Sequence, residues 1–121
     1  MDEQLKHLFD YTKFHIGMYT TLVAGIIGVF SNDLLKKPYV EFLPFITASV
    51  VLFLFAGMFG GLVASSIPYH KTFDEFMSSN LGPWGGGKFR INARTCTHLE
   101  HTCFWFGSLI SVVGMVVVLW L

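Results

Sequence analysis

Eight consecutive residues, Cys96-Thr-His-Leu-Glu-His-Thr-Cys103, hold two thiols and two imidazoles, all soft-metal ligands, with a carboxylate among them. Structural zinc sites usually pair their ligands as C-x2–4-C and H-x3–5-H. The order here is C-x-H-x-x-H-x-C and does not match. On a helix Cys96 and Cys103 share a face, and His98 and His101 lie roughly 120–180° away from it. One helix therefore cannot close all four around one ion. His98 and His101 are three residues apart and offer two ligands. His15 and His70 fall on the same side of the membrane in the topology derived below, so these four histidines form the candidate set for a metal or a haem. The expectation is the plainer one, with no metal and no cofactor. The imidazoles and thiols then lie where a helix passes from polar to apolar surroundings, the thiols as small buried groups. A cytoplasmic position also disfavours a disulfide.

A second chemical segment is Trp84-Gly-Gly-Gly-Lys-Phe-Arg-Ile-Asn-Ala-Arg94, with a flexible backbone, three cations and two aromatics. It lacks the GxxxxGK[ST] pattern of a phosphate-binding loop. Lys88, Arg90 and Arg94 suit an anionic lipid surface, where each cation contributes about 1 kcal/mol. They also suit an anionic ligand or a cytoplasmic partner. No Ser/His/Asp or Cys/His pairing has a recognisable catalytic motif, so the chain reads as a non-enzyme.

The elements that must position these residues follow from composition. The 121 residues are 53% hydrophobic and 13% charged, against about 25% charged in a soluble domain. Thirteen Phe and three Trp suit lipid-facing helices and interfacial belts. Formal net charge is zero, so no basic surface argues for nucleic acid. The composition excludes a disordered tail and argues against a soluble enzyme.

A membrane-crossing helix needs roughly 20 mostly apolar residues. Three segments qualify, at about 14–30, 42–67 and 104–121. The chain is thus expected to be all-α: one integral membrane domain with three transmembrane helices and short amphipathic interfacial helices. With these bounds no acidic residue lies inside a span, which argues against ion-coupled transport. Span one lacks a small-x-small cleavage pattern, so it reads as an anchor and not a signal peptide. Six basic residues (Lys6, Lys13, Lys71, Lys88, Arg90, Arg94) fall on one side and two (Lys36, Lys37) on the other. The positive-inside bias places the N-terminus and the loop 68–103 in the cytoplasm of an inner-membrane protein, with the C-terminus outside.

Outside the spans, Leu5, Leu8, Phe9 and Thr12 make the apolar face of an N-terminal helix that runs into span one. Residues 71–78 (KTFDEFMS) predict a short helix with Phe73, Phe76 and Met77 together. Four Gly and one Pro in 81–87 predict a loop, and helix can resume near Asn92. Asn32 and Asp33 are expected to end the first helix, with Pro38 barring its continuation. Pro44 is expected in the first turn of span two.

Each span carries a line of small residues. Gly17, Thr21, Ala24 and Gly28 fall within about 60° of one another on span one. Gly57, Gly60, Gly61 and Ala64 share a face of span two, with Gly57-x-x-x-Gly61 a GxxxG pair. Gly107, Ser111 and Gly114 do the same on span three. Such lines let membrane helices approach closely, and three of them predict a homo-oligomer. The span-three line extends back through Cys103, Glu100 and Cys96, which would set Glu100 at the cytoplasmic mouth of a pore.

The start of span one, Phe14-His15-Ile16-Gly17, resembles that of small bacterial membrane proteins thought to form pores in antiphage defence. The resemblance implies an oligomeric pore that perturbs the membrane when a cytoplasmic signal arrives. Two further readings stand beside it: a non-catalytic membrane subunit or adaptor of a larger complex, and a haem- or metal-binding membrane protein.

Overall fold

The computed structural model describes residues 1–30, 39–82 and 90–120. Three long helices, α1 (Glu3–Phe30), α2 (Tyr39–Ser66) and α4 (Ala93–Trp120), carry almost all of the fold. A short helix, α3 (Phe73–Met77), and a two-residue ladder of β1 (Asn80–Leu81) and β2 (Ile91–Asn92) fill the connection between α2 and α4.

Local chemistry explains each start and stop. Asp2 caps α1, its Oδ1 accepting the Leu5 N–H at 2.8 Å. Pro68 stands at the head of a 3-10 turn, Ile67–Tyr69, that closes α2. Thr72 caps α3 by accepting the Glu75 N–H at 3.2 Å. Asn92 caps α4, its Oδ1 accepting the Arg94 N–H at 3.0 Å. Helix α2 begins at Tyr39, so Pro44 falls in the second turn and not the first. There it has no N–H to offer the Val40 carbonyl.

The N-terminal arm and the apolar run after it form one continuous helix. At 28 residues α1 is about 42 Å long. The expected helix at 71–78 is α3, with Phe76 fully buried and Phe73 and Met77 half-buried against the core. The readings for Asn32, Asp33, Pro38 and the glycine loop after Gly82 lie outside the described residues.

Helix α2 is central. It packs along α4 over most of its length and along α1 on another side. One core cluster gathers Leu5, Val63, Ile67, Phe76, Leu81, Ala93 and Cys96 at the end where α3 sits. A second gathers Tyr19, Phe53, Ala56 and Phe104 farther along the bundle. Asp2 ties the N-terminus to that connection: its Oδ2 accepts the Phe73 N–H at 2.8 Å, and its own N–H donates to the Lys71 carbonyl at 2.9 Å. Those two backbone donors, Phe73 and then Leu5, hold the Asp2 carboxyl below its usual range.

Among the described residues two helices are long and apolar enough to cross a membrane, Leu43–Tyr69 and Ala93–Val117. Only 33% and 22% of their most apolar windows are buried within the chain. The outward faces carry Val51, Leu54, Phe55 and Met58 on α2, and Trp105, Phe106, Leu109, Val112 and Val116 on α4. A water-facing surface rarely exposes so much contiguous apolar area.

Candidate functional site

The second crossing segment begins at Ala93, well before the Phe104 boundary expected from hydropathy. Its polar residues enter the bundle because they find partners there. Glu100 therefore lies on a helix long and apolar enough to cross a membrane, ahead of the 104–121 stretch expected from hydropathy. It is 1% exposed within a single chain, facing α1 and α2 and not a free rim.

Three side chains converge there. His15 Nδ1 lies 3.0 Å from Glu100 Oε1, and both residues are buried. His101 Nδ1 lies 2.6 Å from Glu100 Oε2. That imidazole nitrogen also meets the Thr97 carbonyl at 2.9 Å with good hydrogen-bond geometry. The nitrogen thus stands between two acceptors, the Thr97 carbonyl and Glu100 Oε2. A ligand atom from each of His15, Glu100 and His101 lies within 4.8 Å of the other two.

Aromatic rings close the sides. Phe104 stacks on His15 at 4.1 Å with an interplanar angle of 15°. Tyr11 leans on His15 at 4.1 Å and on His101 at 5.0 Å. The two imidazoles meet edge-on at 5.2 Å. A carboxylate desolvated in this way is costly unless a cation or donor satisfies it.

Backbone approach makes room for the cluster. A Cβ on Gly60 would stand 2.7 Å from the Tyr19 hydroxyl and 3.4 Å from Glu100 Cγ. Gly60 therefore lets α2 pass behind the carboxylate. The GxxxG pair is not what is used: a Cβ on Gly57 would stand at an ordinary 3.5 Å from the Tyr19 ring, and Gly61 is exposed with open space before it. On α4, a Cβ on Gly107 would stand 3.0 Å from the Phe53 ring, Gly114 is buried and Ser111 half-buried. The α4 line thus faces α2 inside one chain. On α1, Gly17, Thr21, Ala24 and Gly28 all face outward.

Of the four histidine candidates, His15 and His101 come together and the other two do not join them. His70 binds the Ser66 carbonyl at 3.0 Å and packs against Phe76. His98 is exposed on the outer face of α4. Both cysteines are free thiols, and Cys96 Sγ donates to the Phe59 carbonyl at 3.5 Å. Arg90 lines a shallow cleft with Ser66, Tyr69 and Asn80, and Arg94 is exposed. Lys88 lies outside the described residues.

A signal for the cluster was present in the sequence. The apolar face Leu5, Leu8, Phe9, Thr12 continues in steps of three and four to His15, Tyr19, Leu22 and Ile26. Leu5, Thr12, His15 and Tyr19 are all buried. Following that face past Thr12 places His15 inside, and the Cys96–Gly114 line places Glu100 inside.

Fold and site define an all-α protein with two helices able to cross a membrane and a buried carboxylate–imidazole cluster joining one of them to α1. No protein-family model matches the chain, and comparisons with curated proteins and with solved structures return no match.

Proposed function

We propose that the chain is a small integral membrane protein that takes up a cation at a buried centre made by His15, Glu100 and His101. One observation carries the reading: a carboxylate 1% exposed, on a helix long and apolar enough to cross a membrane, with an imidazole against each of its two oxygens. Ionisable side chains inside a membrane are rare and mark ion pathways and proton relays. Helix α1 is the third span of this reading. Its support is that Tyr19, Leu22, Val23 and Ile26 pack against Phe53 and Ala56 in the middle of α2, so α1 shares the membrane depth of α2. The excess of Lys and Arg near α3 and β2 puts the centre at the cytoplasmic end. Proteoliposomes loaded with a pH-sensitive dye test this. Wild-type protein should acidify the lumen under an inward proton gradient, and Glu100→Gln should not. Equal rates in the two, or no rate in a wild-type protein that also binds no metal ion, overturn the reading.

A second reading is a homo-oligomeric pore opened by a cytoplasmic signal, of the kind used in antiphage defence. The outward line Gly17, Thr21, Ala24 and Gly28 favours it, because a Cβ added at Gly17 or Gly28 meets nothing within 4 Å. A second copy, or a larger complex that this chain serves as subunit, would close on that face. Gly17→Leu should reduce native mass in detergent to that of one chain. A wild-type monomer without conductance removes the pore.

A further inference from the structure

We infer that the cation held between α1 and α4 is a divalent transition-metal ion of the zinc class, ligated by His15, Glu100 and His101. The inference rests on the cation-uptake reading and names its substrate class.

The donor set selects the ion. Two imidazole nitrogens and one carboxylate oxygen suit zinc, copper, nickel or ferrous iron, whereas magnesium and calcium take oxygen donors almost alone. Three protein ligands with one open position are the arrangement of exchangeable, non-structural zinc sites. Distances agree. Tetrahedral zinc bonds of roughly 2.0–2.2 Å hold ligand atoms about 3.3 Å apart. Here His15 Nδ1 and Glu100 Oε1 are 3.0 Å apart, and all three donors fall within 4.8 Å. Closure needs only side-chain rotation.

The crowding of donor atoms points the same way. His101 Nδ1 stands 2.6 Å from Glu100 Oε2, an ion-pair distance, and His15 Nδ1 stands 3.0 Å from Oε1. Two imidazoles set against the two oxygens of one buried carboxylate present the donor atoms that a positive ion would share. On binding, the proton on each ligating imidazole nitrogen shifts to the other ring nitrogen or leaves to water, and Glu100 stays a carboxylate. The rings of Phe104 and Tyr11 restrict water, which strengthens the ion's hold on three charged or dipolar donors.

The test is zinc binding by the full chain in nanodiscs, measured by equilibrium dialysis, with Co2+ absorption as a coordination readout. One ion per chain is expected, with visible bands of a four-coordinate nitrogen–oxygen site. His15→Gln, Glu100→Gln and His101→Gln should each weaken binding at least about tenfold. His70→Gln and His98→Gln should leave it unchanged. Circular dichroism checks that each variant stays helical. Binding that survives Glu100→Gln, or that is lost only with His70 or His98, overturns the site. Wild-type protein that binds no zinc yet acidifies the liposome lumen overturns the metal and leaves cation uptake standing. Failure of both assays overturns the two together.

Discussion

His15 on α1 and Glu100 on α4 are 85 residues apart in sequence and meet at 3.0 Å, each 1% exposed. Helices α1 and α4 both pack chiefly on α2. This polar contact and the ring contacts around it, the stack of His15 on Phe104 and of Tyr11 against His101, join them directly. The centre is therefore a joint in the fold as well as the place proposed for a cation.

Removing one member should expose the cost of burying the other. His15→Ala leaves a desolvated carboxylate without its donor, which costs about 3–5 kcal/mol at a buried pair. Glu100→Gln keeps shape and removes the charge, so its cost should be smaller. Denaturant unfolding in detergent micelles reads both. A loss below about 0.5 kcal/mol for His15→Ala, the range of a neutral surface change, would show that the pair does not form.

Two neighbouring glycines should behave oppositely. Gly60→Ala places a methyl 2.7 Å from the Tyr19 hydroxyl and against Glu100. Overpacking of this kind costs about 1–3 kcal/mol. Gly61→Ala meets open space and should be neutral or slightly stabilising, since alanine favours helix by about 1 kcal/mol over glycine. Unfolding midpoints of the two variants under identical conditions decide this; equal midpoints would contradict the packing of α1 behind Gly60.

The N-terminal staple should depend on pH. The Phe73 and Leu5 N–H groups stabilise the ionised form of Asp2 and depress its pKa. That stabilisation is present above the unfolded value of 3.8 and is lost as pH falls through the lower folded value. Protection of the Phe73 amide, its observed exchange rate set against the intrinsic rate at the same pH, should be high at neutral pH and fall in strong acid. In Asp2→Ala it should be low at every pH.

The outward apolar faces separate a membrane protein from a soluble one. Leu54 is 65% exposed on the outer face of α2. Leu54→Arg should reduce membrane integration, since arginine at a span centre costs about 2.5–3.5 kcal/mol. Carbonate extraction of membranes measures it. Full retention in the pellet would contradict a lipid-facing α2.

Much of the architecture was legible because local chemistry sets it. The apolar runs predict long helices, the run KTFDEFMS predicts α3, and the restart near Asn92 matches the cap of α4. The site was legible only in part. His15 and His101 stood among the metal candidates, and Glu100 stood on the small-residue line. What hydropathy alone does not supply is how each helix is turned about its axis. That rotation sends the α4 line inward and the α1 line of Gly17, Thr21 and Gly28 outward, and it pairs His15 with Glu100 and leaves His98 outside. Hydropathy also marked the span from Phe104, because it counts Glu100 and His101 as polar without showing that they face His15 inside the bundle.

Dipolar contacts between 15N-labelled imidazoles and the 13C-labelled Glu100 carboxyl, measured by solid-state NMR on the full chain in nanodiscs, test most directly whether three side chains form one centre. His15 and His101 should each couple to the Glu100 carboxyl, in keeping with separations of 3.0 Å and 2.6 Å, and His7, His70 and His98 should not. A Glu100 carboxyl coupled to neither His15 nor His101, or to His70 or His98 instead, would contradict the centre.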